Sequence, residues 1–240
     1  MSVLMTNVCQ YTGPGSVPLL LQEHGALYCH DASFVDPAAV RAFEHQHPGA
    51  LAMAAQTPHA IADELAARGL KVETVVHNDV HPNTPLPIEA IPPEMLQAAF
   101  DALLQFPVQL TQRLLPAMKA ARRGRFVFVT SARYLQPEPG FAVATCIRAA
   151  TTAFALALAR EAAPSGIQVN VVAPNYLYSE AYYPRARFID DPEGRAQIAA
   201  KVPLGRLGRP EEIGEVINFL ASGRAAFVTG QVIDFTGGWP

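Results

Sequence analysis

An α/β fold, a doubly wound parallel sheet flanked by helices in a single domain, is what the sequence predicts, on three observations. Short apolar runs rich in Val, Ile and Phe alternate along the chain with stretches of helical periodicity. The run Arg125–Thr130 (RFVFVT) reads as apolar on both faces, as a central parallel strand covered by helices must be. The chain has 240 residues, 50% hydrophobic and 16% charged, so residues 1–240 are read as one globular domain with a substantial core.

The elements follow in order. Ser2–Thr6 and Ala26–Cys29 are predicted strands on either side of a helix, Ser16–Glu23, in which Val17, Leu20 and Leu21 share a face. Asp36–Phe43 adds a short helix opened by Pro37, and Pro58–Arg68 a further helix ended by Gly69. Val72–Val76 is the next buried strand. Glu94–Ala121 is a long amphipathic helical stretch in which Pro107 and Pro116 predict kinks or breaks. After Arg125–Thr130 come the small-residue-rich helix Phe141–Ala163, the strand Ile167–Val172, the helix Glu211–Leu220 opened by Pro210, and the closing strand Gln231–Phe235. Pro174–Pro203 is expected to be one long irregular connection, of the kind that forms lids and binding loops. Ligands of such a sheet bind at the carboxyl ends of its strands.

A net charge of −3 offers no basic stripe, which excludes nucleic acid as an expected partner. Cys9, Cys29 and Cys146 are odd in number and lack metal-ligand or CxxC spacing, so free thiols in a reducing compartment are expected. Cys146 is expected to pack. Met1–Thr6 shows no charged-then-apolar leader, and no uncharged apolar stretch reaches the roughly 18 to 20 residues of a membrane span. The expectation is a cytoplasmic protein with no membrane partner. His77 and His81 bracket Asn78-Asp79 but follow a strand and lack an evident third ligand, so no metal is expected.

The segment Val202-Pro-Leu-Gly-Arg-Leu-Gly-Arg-Pro-Glu-Glu-Ile-Gly, with Asn218-Phe-Leu-Ala-Ser and Thr229-Gly-Gln-Val…Gly237-Gly238, strongly resembles the C-terminal third of short-chain dehydrogenases/reductases. The likeness continues upstream through Ala159-Arg-Glu-Ala-Ala-Pro-Ser-Gly-Ile-Gln-Val-Asn-Val-Val-Ala-Pro and covers essentially the whole chain, which implies a Rossmann-type fold. After the first strand that family carries Thr-Gly-x-x-x-Gly-x-Gly. Here the segment is Thr6-Asn7-Val8-Cys9-Gln10-Tyr11-Thr12-Gly13, and only the last glycine remains. A side chain in that loop occupies the path by which backbone N–H groups reach a pyrophosphate, and Tyr11 is expected to fill it. The strand-four signature Asn-Asn-Ala-Gly has become His77-Asn78-Asp79-Val80, with Val80 expected to narrow the same cleft. Asp31 stands where dinucleotide folds often grip the adenine ribose; without the glycines it reads as a turn or cap residue.

Thr6, Tyr11 and Gly13, together with Cys29-His30-Asp31, Asn78-Asp79 and Pro174-Asn175-Tyr176-Leu177, resemble the halohydrin dehalogenases, which share the fold and place a halide pocket where nicotinamide would lie. The resemblance implies action on vicinal haloalcohols and epoxides with no nucleotide cofactor. It also implies a small-molecule substrate with a halide or other small anion seated at Tyr11, Pro174, Asn175, Tyr176 and Leu177, and a homo-oligomer, a tetramer through the two long helices. That family spaces its catalytic residues Ser-x12-Tyr-x3-Arg. Ser131 and Arg148 occupy the outer positions, with Asp79 in support, and Ala144 stands where the tyrosine would be.

In such a site the phenolate accepts the substrate hydroxyl proton, the serine holds the substrate oxygen and the arginine lowers the phenol pKa. Alanine does none of the tyrosine's work. Tyr134, Tyr176, Tyr178, Tyr182 and Tyr183 are the other phenols nearby in sequence, and one with a depressed pKa beside Arg148 could replace it. Residue by residue, bland alternatives stand: Ser131 as a turn cap, Arg148 as a structural partner of Asp79, and Tyr11 as a core or surface aromatic. Three functions stay open: a dehalogenase-like enzyme, an NAD(P)-dependent oxidoreductase with an eroded loop, and a non-catalytic binding or structural protein, a pseudoenzyme of the same fold.

Overall fold

Seven parallel strands form one sheet in the order β3-β2-β1-β4-β5-β6-β7. They are β1 Ser2–Met5, β2 Ala26–His30, β3 Ala50–Met53, β4 Thr74–His77, β5 Gly124–Val129, β6 Ile167–Pro174 and β7 Val232–Phe235. The computed structural model describes residues 1–82 and 84–240. Strand order reverses between β1 and β4, where Val3 pairs with Thr74 and Met5 with Val76. That register sets the carboxyl ends of β1 and β4 side by side and opens the crevice in which doubly wound sheets bind ligands.

The two-residue strand period divides the core into two layers. Val3 and Met5 of β1 join Val17, Leu20, Ile213 and Ile217 on one face. Leu4, between them in sequence, joins Leu110, Met118, Phe126 and Phe128 on the other. Both faces are therefore apolar, which is why the central strands read as continuous hydrophobic runs.

Helix α1 (Gly13–Glu23) starts at Gly13, three residues ahead of the sequence expectation, and packs along α9 (Pro210–Ser222). The contact rests on small residues: a Cβ on Gly15 would lie 2.1 Å from the Pro210 carbonyl oxygen, and one on Gly214 would lie 2.6 Å from that of Gly15. Asp36 caps α2 (Pro37–Gln46) and Thr57 caps α3 (Pro58–Ala67), each side chain accepting a backbone N–H.

Helix α4 (Pro93–Phe100), a π turn at Asp101–Gln105 and α5 (Phe106–Ala121) make one long helical rod. The expected disturbance at Pro107 is met by the π turn just ahead of it, because proline has no N–H to continue the regular ladder. Pro116 does not break α5; it lies on the exposed face, where water satisfies the carbonyl left over. Helix α6 (Ala142–Ala162) buries Ile147, Arg148, Thr151, Ala155, Leu158 and Ala162, a stripe at helical spacing, and packs on β6. By length and composition alone Ala142–Ser165 would suffice to cross a bilayer; here the helix packs on the sheet.

Two expectations are corrected. Pro174–Pro203 is not one irregular loop: it contains α7 (Arg185–Phe188) and α8 (Pro192–Lys201), the latter opened by Asp191, whose carboxylate accepts the Glu193 N–H. Strand β3 had no counterpart in the sequence reading, since Ala50-Leu-Ala-Met carries no β-branched residue and lies at the sheet edge. The fourth strand also lies further along than Val72–Val76, at Thr74–His77.

Gly15→Ala is expected to lower unfolding stability by about 1–3 kcal/mol, since α1 and α9 must separate to admit the methyl group. Urea unfolding measures it, and a loss under about 0.5 kcal/mol would show that the helices slide apart freely. Glu212, at the start of α9, accepts two bonds from the Arg206 guanidinium at 2.7 and 2.8 Å and the Arg209 backbone N–H at 2.8 Å. Arg206 above all holds this carboxyl at about 2, below the ordinary 4.5. The folded value is depressed, so the group's contribution is present above pH 4.5 and is lost as pH falls toward 2. A stability-versus-pH series should therefore show Glu212→Gln weaker than the parent at pH 6 and converging on it toward pH 2.

Candidate functional site

At the reversal of strand order, the loop from Thr6 to Thr12 is bound to the ends of β2 and β4. The Asn78 amide group donates to the carbonyls of Asn7 and Gln10, both at 2.9 Å, while its oxygen accepts the Thr12 hydroxyl at 2.7 Å. Asp79 Oδ1 accepts the Thr6 hydroxyl at 2.9 Å and the Asn7 amide at 3.2 Å. Asp31 accepts the Cys9 N–H at 2.9 Å and caps its own turn through Ser33, which agrees with its reading as a cap. Gly13 survives for a steric reason: a Cβ there would lie 2.1 Å from the Val8 carbonyl oxygen.

Beside this loop lies a cleft of about 870 Å³, its open mouth included. Leu86, Ile91, Met95, Ala99, Leu103 and Val143 make an apolar wall. The lining also includes Ser131, Arg133, Thr145, Arg148 and Asn175, with the aromatic side chains of Tyr11, Tyr176, Tyr182 and Tyr183. The structure thus brings together Ser131, Ala144 and Arg148 with Tyr11 and the segment Pro174–Leu177, all of which line this one cleft. From the segment after β4 this cleft is lined by His81 and Pro82.

Ser131 lies two residues past β5 and caps the 3-10 turn Ala132–Leu135, its Oγ accepting the Arg133 N–H at 3.2 Å. The capping role and the cleft position coexist, since an accepted bond leaves the hydroxyl proton to donate. Arg148 is 7% exposed and spans two strand ends: Nη1 donates to the Val129 carbonyl at 2.9 Å and Nη2 to the Asp79 carbonyl at 2.7 Å. It pairs with Asp79 through the backbone, while that carboxylate serves the loop and stands 3.6 Å from His77 Nδ1.

The turn after β6 is strained. Tyr176 has φ +53°, as does Tyr11, a left-handed conformation that aromatic residues rarely adopt. Asn175 fixes this turn by accepting the Tyr176 N–H at 3.0 Å, and its buried Nδ2 has no hydrogen-bond partner. The buried Thr145 Oγ1 is likewise unpartnered. Both are donors in the wall of the cleft. Tyr11 stands edge-on to Tyr182, ring centroids 5.4 Å apart, and the Tyr182 hydroxyl donates to the His81 carbonyl at 3.2 Å.

No phenol with a resolved shift is made more acidic. Burial pushes Tyr11 up, against the opposing pull of Arg148. Tyr176 and Tyr183 are each pushed up to about 12, mainly by burial. Burial raises Tyr134, and a hydrogen bond to Glu180 raises Tyr178. A depressed pKa, the expectation for a tyrosine replacing the missing phenol, is thereby corrected for Tyr134, Tyr176, Tyr178 and Tyr183. For Tyr176 and Tyr183, desolvation of the phenolate outweighs the attraction of Arg133.

Cys146 is exposed rather than packed, since its position on α6 faces away from both the sheet and the cleft. His77 is buried against Thr111 and Phe128, and His81 bonds the Pro82 carbonyl. Among the described residues, no cluster of three His, Cys, Asp or Glu could hold a metal. Sequence reasoning missed Arg133, Phe141 and Thr145 as cleft residues. The available signal was proximity: Arg133 is two residues past Ser131, and Thr145 adjoins Ala144.

Residues 52–240 match the family model described as enoyl-(acyl carrier protein) reductase, a match that begins beyond the first strand–helix turn. An uncharacterized oxidoreductase of Bacillus subtilis is 37% identical over 139 residues, 55% of this chain and 53% of that protein. The 3-oxoacyl-[acyl-carrier-protein] reductase of Escherichia coli is 37% identical over 130 residues, 54% of this chain and 51% of its own. The chain thus spans about half the length of the curated relatives it matches. Among solved structures, a halohydrin dehalogenase bound to ethyl (2S)-oxiran-2-ylacetate superposes with a TM-score of 0.96 at 31% identity, covering 100% of this chain and 97% of that one. A dehalogenation enzyme superposes with a TM-score of 0.93 at 35% identity, covering 100% and 98%. Fold, matched segments and family model agree: the chain belongs to the short-chain dehydrogenase/reductase superfamily.

Proposed function

We propose that this chain binds small vicinal haloalcohols or their epoxides, with a halide or other small anion, and does so without a nucleotide. The observation that carries the reading is the loop after β1, closed on Asp31, Asn78 and Asp79 with Tyr11 in the wall of the cleft. Four of its N–H groups are engaged within the protein: Val8 to His30, Cys9 to Asp31, Gln10 to Asn7 and Gly13 to Gln10. Pro14 has none to give. These residues do not fit the pyrophosphate of a dinucleotide, which needs such donors free at a helix N-terminus. Full-length similarity to dehalogenase structures supports the same reading. The oxidoreductase alternative draws on the curated relatives, but the family match starts only after this loop.

In the proposed chemistry the Ser131 hydroxyl donates to the substrate oxygen, and Arg148 supplies positive potential from its seat on two carbonyls. Asn175 Nδ2 and the turn through Pro174, Tyr176 and Leu177 face the halide. Ring closure requires the substrate hydroxyl to lose its proton as its oxygen attacks the neighbouring carbon and the carbon–halogen bond breaks to release halide. The proton needs an acceptor, and Ala144 leaves none at the family's position. Tyr11, Tyr176 and Tyr183 are neutral donors at pH 7, which suits them to hold an oxygen rather than to deprotonate one. The chain as it stands is therefore a binding pocket with slow turnover.

Restoring the acceptor is the test. Ala144→Tyr is expected to raise halide release from a neutral bromoalcohol such as 1-bromo-2-propanol by about 100-fold or more, the usual contribution of a positioned general base. A folded variant that stays inert on bromoalcohols and on epoxides would overturn the dehalogenase reading and leave a non-catalytic binding protein.

A further inference from the structure

The cleft holds a second arginine that the dehalogenase reading does not use. Arg133 leaves the 3-10 turn just after Ser131 and lies with its guanidinium carbon 4.1 Å from the centre of the Phe141 ring. Its side chain is 12% exposed, and its buried Nε has no hydrogen-bond partner. A Glu138 oxygen stands 3.5 Å from that same Nε as an ion pair, and this carboxylate also takes Lys201 at 3.2 Å and the Tyr176 hydroxyl at 3.4 Å. One acid is thus shared by two cations and a phenol.

An arginine cannot shed its charge, and the one carboxylate paired with it is shared with Lys201, so two cations meet one acid and a further anion would balance them. The cleft lining supplies two guanidinium groups, Arg133 and Arg148, and no carboxylate among the described residues. Arg148 is bonded to two carbonyls, which leaves Arg133 as the cation able to receive a ligand. The donors Thr145 Oγ1 and Asn175 Nδ2 stand unpartnered in the same lining, which also includes Leu86, Ile91, Met95 and Leu103. The lining therefore offers charge and donors together with apolar surface.

We propose that the pocket takes a small aliphatic carboxylate, its head group paired with the planar fork of Arg133 and its chain along the Leu86–Leu103 wall. A guanidinium fork and a carboxylate match in geometry as well as charge. This rests on the proposed function only for the identity of the reacting part: the substrate is a haloalcohol or epoxide that carries a carboxylate, and Arg133 selects it over a neutral analogue.

The test is calorimetric titration of the whole chain with hexanoate and, as its neutral counterpart, hexanamide. Hexanoate is expected to bind about tenfold tighter or better, in line with a charge-assisted pair replacing a neutral one. Arg133→Gln should remove that preference and leave hexanamide binding unchanged, while Arg133→Lys keeps part of it. Thermal melts confirm that each variant folds; if Arg133→Gln does not, Arg133→Lys decides, by whether the preference falls while the charge stays. Equal affinity of the parent for both probes, no binding of either, or a preference that survives at full size in both variants would overturn the proposal. Halide release by Ala144→Tyr is read on a neutral bromoalcohol and does not involve Arg133, so the two readings can fail separately.

Discussion

The end of β4 is the joint on which the site depends. Asn78 and Asp79 meet the loop after β1 with their side chains, and the Asp79 carbonyl meets Arg148 of α6. Three segments distant in sequence are thereby fixed by two adjacent residues. The parallel register of β1 on β4 makes this possible, because it brings Thr6 level with the residues that follow His77. Nearly all of these groups are buried, where a polar atom without a partner is costly and a satisfied network holds one geometry. The loop that accepts a phosphate in dinucleotide-binding relatives is here part of the protein's own hydrogen-bonded structure.

A closed loop and a donor-rich cleft have a common consequence. On the proposed reading, in which no nucleotide binds, the chemistry is that of the cleft alone. That cleft contains hydroxyls, amides, guanidinium groups and protonated phenols, and its lining includes no carboxylate among the described residues. Such a set stabilises negative charge on a ligand oxygen, a halide or a carboxylate. It does not remove a proton. At Ala144 a methyl group fills no acceptor role, and burial raises the pKa of the cleft phenols Tyr11, Tyr176 and Tyr183.

Much of this was legible in the sequence because it follows from periodicity and spacing. Six of the seven strands, and the order of the helices between them, can be read from apolar runs and proline or glycine punctuation. The convergence of Ser131, Arg148, Tyr11 and Pro174–Leu177 follows from their places at strand ends and the first helical turns, which a parallel sheet gathers on one side. What was not legible depends on tertiary surroundings. β3 is an alanine-rich edge strand whose identity comes from pairing with β2. Helix α8 carried its signal in Asp191-Pro192-Glu193, a cap, a first-turn proline and an acid, within a stretch otherwise read as a loop. Arg133 faces the cleft only because Ser131 winds the chain into a 3-10 turn. The acidity of the tyrosines is set by burial, which no local pattern reports.

The most direct measurement of the central claim is calorimetric titration of the purified chain with NADH and NADPH. A loop whose donors are held by Asp31, Asn78 and Asp79 predicts no binding heat at cofactor concentrations up to about 1 mM, an affinity no better than roughly 4 kcal/mol. Saturable binding with a Kd of about 10 µM or tighter would contradict it, since the cofactor would then have displaced those hydrogen bonds, and the oxidoreductase reading would take its place.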